Sequence, residues 1–168
     1  VSYTNDYKAE VVDFVGQKNW NDYNNQFGTR PGSLSVALYR KADGIAEQKV
    51  GDIVLKGGEN ETATFTKDSN FKNVQGDDKV ELSTEANVNN NWKVKITGLD
   101  KYASNGKECN YYRKEAVTPG NYTVSGNGTA TLTNNLTGRL ELFKRWVDEN
   151  DNLLADSYIP SQIELPPV

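Results

Sequence analysis

The sequence contains no histidine, no methionine and a single cysteine, Cys109. Without histidine the commonest general base and metal ligand is missing, which excludes a His-based catalytic triad. A thiol protease built on Cys109 would lack its usual partner. One cysteine cannot close an internal disulfide, so life outside the cell would need another staple. No apolar run is long enough to span a membrane. Basic residues are not in excess either. Net charge is −4 with 25% of residues charged, so neither nucleic acid nor an anionic membrane is an expected partner. Enzymatic readings therefore begin weakly, and no cofactor or metal is expected.

What is present points to short strands and turns. The 168 residues include fourteen glycines and only five prolines, with abundant Thr, Val, Tyr and Asn. The chain is organised around QKNWNDYNNQFGTRP, Gln17–Pro31, where a strand ends in Lys-x-Trp-x-Asp and a polar turn leads to Arg-Pro. A shorter echo, FKRWVDENDN, follows at Phe143–Asn152, and YTNDY at Tyr3–Tyr7 echoes LTNNL at Leu132–Leu136. The echoes are separated by roughly 126–129 residues, a period that implies repeated domains. Residues 1–10 are thus expected to be the last strand of one repeat, 11–137 a complete repeat, and 138–168 the opening strands of a third. The last segment is too short for a core of its own and is expected to dock on the complete domain or exchange strands.

Alternation places Val12, Phe14, Gly16, Lys18 and Trp20 on one face of a first strand. Leu34, Val36 and Leu38 mark a second, and a short strand is expected at Gly51–Leu55. Gly57–Asp78 is polar and reads as an inserted surface loop or hairpin. Trp92, Val94 and Ile96 share a face, as do Cys109, Tyr111, Arg113 and Glu115, and then Ala130, Leu132 and Asn134. No segment has helical periodicity. The fold class is all-β, an antiparallel β-sandwich of seven or more short strands.

Three polar residues fall on apolar faces: Lys18, Glu115 and Asn134. Burying a lone amine, carboxylate or amide is costly. Burial also lowers the pKa of an amine and raises that of a carboxyl. If the three meet, a neutral Lys18 amine can attack the Asn134 side-chain carbonyl while Glu115 shuttles protons and ammonia leaves. Spacing alone favours a plainer reading, in which the lysine is solvated, the glutamate ends a strand and the asparagine sits in a turn.

The stretches QKNWNDYNNQFGTRPGSLSVALY, NNWKVKITGLDKYASNGKECNYYRKEAVTPGNYTVS and TLTNNL resemble, in order, the collagen-adhesin B-type (Cna-B) repeat of Gram-positive surface proteins and pilins. The resemblance runs from about Val15 to Leu136. It implies an immunoglobulin-like sandwich with an internal Lys–Asn isopeptide made by Lys18 and Asn134, with Glu115 as the catalytic proton shuttle. It also implies a non-enzymatic stalk or spacer role in a cell-wall-anchored adhesin or pilus protein outside the cell, with neighbouring repeats as partners. Asn5 and Lys144 resemble cross-link residues of the flanking repeats. Two residues depart from the family pattern, since Arg113 and Cys109 both replace aliphatic residues. Cys109 reads as a small buried hydrophobe. The alternative function is a module that binds a host extracellular-matrix or cell-surface ligand, with 57–78 or a sheet face as the binding surface. A weaker reading has calcium at Asp22–Gly28 or Asp148–Asn152, where turn capping explains the same residues.

Overall fold

The computed structural model describes residues 10–74, 79–144 and 159–164, with side-chain environments for those up to residue 138. Among the described residues eleven strands follow one another: β1 Val11–Asn21, β2 Ser33–Ala42, β3 Ile45–Lys56, β4 Thr62–Lys67, β5 Glu81–Leu82, β6 Lys93–Asp100, β7 Asn110–Glu115, β8 Tyr122–Ser125, β9 Thr131–Leu136, β10 Arg139–Lys144 and β11 Ile159–Glu164. Single 3-10 turns at Tyr23–Asn25 and Val88–Asn90 are the helical elements among the described residues. None is long and apolar enough to cross a membrane.

Two sheets form the sandwich. One has the order β5-β6-β1-β9-β8 and the other β4-β3-β2-β7. The expected alternation holds where it matters. On β1, Phe14, Gly16 and Lys18 are buried while Asp13, Val15 and Asn19 are exposed. Leu34, Val36 and Leu38 of β2 meet Val94, Ile96 and Leu99 of β6 and Leu132 of β9 in the common core, each 3% exposed or less. Neighbouring strands are antiparallel with one exception: β1 and β9 run parallel, with Lys18 opposite Leu132 and Trp20 opposite Asn134. Strands that open and close the domain therefore lie side by side and point the same way.

Three expectations need correction. Gly51–Leu55 is part of a twelve-residue strand, β3, whose polar Glu47–Lys49 run conceals it. A register shift where Val50 and Gly51 pass the Leu38/Tyr39 step lets both Val50 and Gly51 be buried. Nor is 57–78 merely a surface insertion. Thr62–Lys67 is β4, paired with β3 at the sheet edge, and Phe71 is 1% exposed in the core. Finally, Cys109 is half-buried and precedes β7. Of the end segments, β10 pairs antiparallel with β11 in a two-stranded sheet. Asn5 and Asp148–Asn152 lie outside the described residues, as does the side chain of Lys144.

A buried ion pair fastens the Asp68–Val74 segment. Arg40 Nη1 lies 3.4 Å from Asp100 Oδ2 and Arg40 Nη2 donates to Gln48 Oε1 at 2.6 Å. The Val74 N–H donates to Asp100 Oδ2, and the Arg40 guanidinium sits 4.6 Å from the Phe71 ring. Phe71→Ala is therefore expected to lower unfolding free energy by about 3–5 kcal/mol, as a core truncation does. Urea unfolding measures this, and a loss below about 1 kcal/mol would return the segment to the status of a surface loop.

Candidate functional site

Lys18 projects inward from β1, Asn134 from β9 beside it, and Glu115 from the end of β7 in the facing sheet. The three meet. Lys18 Nζ lies 3.4 Å from Glu115 Oε2, both side chains having no exposed surface. Asn134 Nδ2 donates to Glu115 Oε1 at 3.0 Å. One carboxylate thus bridges the amine and the amide. Asn134 Oδ1 has no hydrogen-bond partner and is buried. Which amide atom faces Glu115 is a choice of side-chain rotation, and a half-turn would present the oxygen instead.

Aromatic rings roof this cluster. Lys18 Nζ lies 4.8 Å from the Trp20 ring, and Trp20 packs edge-on against Trp92 and Tyr122 at 5.3 and 5.1 Å. Trp92 is held by its backbone: its N–H donates to Asn87 Oδ1 and its carbonyl accepts from the Lys18 N–H. Tyr122 donates to Asp22 Oδ2 at 3.0 Å, and Arg30 grips both Asp22 oxygens at 2.6 Å. Burial pushes Asp22 up, but its bonds from Arg30, the Asn25 N–H and Tyr122 together hold it below the usual carboxylate range. The Asp22–Gly28 segment is consequently a turn whose Asp22 carboxylate is taken up by Arg30, Tyr122 and the Asn25 N–H. Among the described residues no group of three acidic or thiol side chains could hold a metal ion.

The sequence singled out Arg113 only as a departure, and it proves central to the packing. Its side chain is fully buried, and Nη2 donates to the carbonyls of Gln17 and Ala130 at 2.8 and 3.0 Å. Gly16 makes this possible, because a Cβ there would stand 2.5 Å from Arg113 Cζ. Alternation places Arg113 and Gly16 each on the inward side of its strand, while their apposition comes from the fold. Ala130, placed with Leu132 and Asn134 by alternation, is exposed and precedes β9.

Desolvation is the main influence on Lys18. It lowers the amine's pKa from 10.5 to about 8, against the attraction of Glu115 and with a small push from Arg113. Between those values the unfolded chain binds more protons at this site than the folded one, so stability rises with pH there. In an Asn134→Ala chain, which keeps the Lys18–Glu115 pair without the amide, stability relative to Lys18→Met/Asn134→Ala is expected to climb from about pH 8 to about pH 10.5. Urea midpoints across that range measure it, and a flat difference would mean that the amine is not desolvated.

Comparison with known proteins agrees with this fold. The family model described as the Cna protein B-type domain matches residues 14–75 and 71–135, the first span holding Lys18 and the second Glu115 and Asn134. A collagen adhesin of Staphylococcus aureus is 31% identical over 165 residues, which is 96% of this chain and 10% of that protein. The chain thus spans about a tenth of that relative's length. Among solved structures, the pilus adhesin SpaC of Lactobacillus rhamnosus GG is similar over 94% of this chain and 19% of its own, at 16% identity and a TM-score of 0.45. A single B repeat unit of the collagen-binding surface protein of Staphylococcus aureus is similar over 74% of this chain and 98% of its own, at 20% identity and a TM-score of 0.24. The chain belongs to the Cna protein B-type domain family.

Proposed function

We propose that residues 11–137 form one complete spacer repeat of a Gram-positive surface adhesin or pilus protein, closed by an amide that the domain makes between Lys18 and Asn134. The observation that carries this reading is the sealed contact of Glu115 with both partners, 3.4 Å from Lys18 Nζ and 3.0 Å from Asn134 Nδ2. Lys18 passes a proton to Glu115, and the neutral amine attacks Asn134 Cγ. With the amide rotated, protonated Glu115 polarises the Oδ1 carbonyl and returns this proton to the departing nitrogen, then carries across the second proton that Nζ sheds after attack. The Nζ–Cγ bond forms, the Cγ–Nδ2 bond breaks, and ammonium leaves with the positive charge Lys18 brought. The ingredients are a desolvated nucleophile and a positioned proton shuttle. Each domain reacts once upon itself, so the chemistry is self-modification, and it needs no cofactor.

The clamp would do for this domain what a disulfide does elsewhere. It ties β1 to β9 and closes a loop over residues 19–133. By the chain-entropy estimate a loop of this size stabilises the fold by about 5 kcal/mol. The relatives' names place them among surface and pilus adhesins, in keeping with an extracellular position for this chain and neighbouring repeats as its partners. Asn5 and Lys144 would belong to the cross-links of those neighbours. The structure of 57–74 favours the spacer over the ligand-binding alternative, since β4 and Phe71 serve the sheet and core.

Intact mass spectrometry of the folded chain and of Glu115→Ala tests the reaction. The wild type is expected to be lighter than its formula by one ammonia and the variant to keep its full mass. A wild type at full mass would remove the covalent clamp and leave a sandwich held by packing alone.

A further inference from the structure

Arg113 carries a charge that ordinary packing does not explain. It is fully buried, and its Nε and Nη1 have no hydrogen-bond partner. Its bonds to protein are through Nη2, to two backbone carbonyls. The nearest ring is that of Phe14, 5.8 Å from the guanidinium carbon. A buried cation without a carboxylate in contact is costly, and an apolar residue of similar volume would avoid the cost.

The location of its contacts supplies a reason. Arg113 lies on β7 two residues before Glu115, on the same inward face. One Nη2 bond reaches the carbonyl of Gln17, which adjoins Lys18 on β1. The other reaches the carbonyl of Ala130, just before β9 and Asn134. The backbone beside it is tied in too: the Arg113 N–H donates to Thr129 O and the Gly128 N–H to Arg113 O. Asn127 Oδ1 accepts the Glu115 N–H at 2.9 Å. A single side chain thus joins the three chain segments that supply nucleophile, shuttle and carbonyl.

Building on the cross-linking reading above, we propose that Arg113 is a positioning residue for that reaction, stapling the strands of Lys18, Glu115 and Asn134 and setting the charge of the sealed site. The charge balance shows how. Before reaction the site holds the cations of Arg113 and Lys18 against the single anion of Glu115. Reaction expels one positive charge as ammonium and leaves Arg113 and Glu115 as a matched pair. A fixed guanidinium also disfavours a second buried cation, so it increases the share of Lys18 present as the reactive amine. Its push on Lys18 is in that direction.

The test separates this role from the cross-link itself. In an Asn134→Ala chain no amide can form, and the Lys18 amine is titrated by NMR of labelled lysine beside Arg113→Met and Arg113→Lys in the same background. Arg113→Met is expected to move Lys18 up from its value in the Arg113 chain, while Arg113→Lys holds it down. In refolding chains with Asn134 intact, loss of ammonia followed by mass should be slower near neutral pH for Arg113→Met, because less of Lys18 is then free amine and the strands are no longer stapled. The optimum of rate against pH should shift to higher pH, and Arg113→Lys should restore it. If Arg113→Met does not fold, Arg113→Gln takes its place. A Lys18 titration and rate profile unmoved in a folded neutral variant would overturn the proposal, as would failure of both neutral variants to fold, which would assign Arg113 to the fold alone. A wild type that never loses ammonia would sink the cross-linking reading, while the titration would still report on Arg113.

Discussion

The structure depends on one carboxylate, Glu115, placed between an amine and an amide where no water reaches. Two charges sealed between sheets are usually a poor source of stability, because desolvation costs about as much as the pair returns. An aliphatic trio would fill this space more cheaply. The surrounding residues nonetheless serve to keep the cluster dry and aligned. Trp20 covers Lys18, Trp92 and Tyr122 brace Trp20, and Asp22 with Arg30 anchors Tyr122. Such investment in a costly arrangement makes sense if the arrangement reacts.

The parallel pairing of β1 with β9 would give the proposed cross-link a mechanical consequence. Tension applied at the two ends of the domain enters at the start of β1 and leaves at the end of β9, loading this pair in shear. Lys18 lies late in β1, far from where force enters, and Asn134 lies two residues before the end of β9, where it leaves. A bond between them would carry the load across and leave the sheet containing β2, β3, β4 and β7 outside the force path.

Much of this was legible in the sequence, because a strand's period of two assigns each residue a side. Lys18, Glu115 and Asn134 were placed inward from alternation, and so were Leu34, Val36, Leu38, Val94 and Ile96. What escaped had physical causes. β4, TATFTK, is an edge strand with half-buried Ala63 and Phe65 and shows little apolar contrast. β3 is interrupted by a bulge, and its first half carries the polar run Glu47–Lys49 in place of a clear apolar alternation. Phe71 is a lone anchor without periodicity around it. The parallel direction of β9 leaves no local mark, since pairing partners are distant in sequence. Arg113 was seen to point inward, but its carbonyl partners on Gln17 and Ala130 belong to the tertiary structure alone.

The most direct test of the central claim is to pull single molecules by their two ends and read the length released. The account predicts that residues 19–133 never extend, so that the unfolding step of about 400 Å expected from a chain of that size is missing. A full-length step in the wild type, matching that of Lys18→Ala, would contradict it.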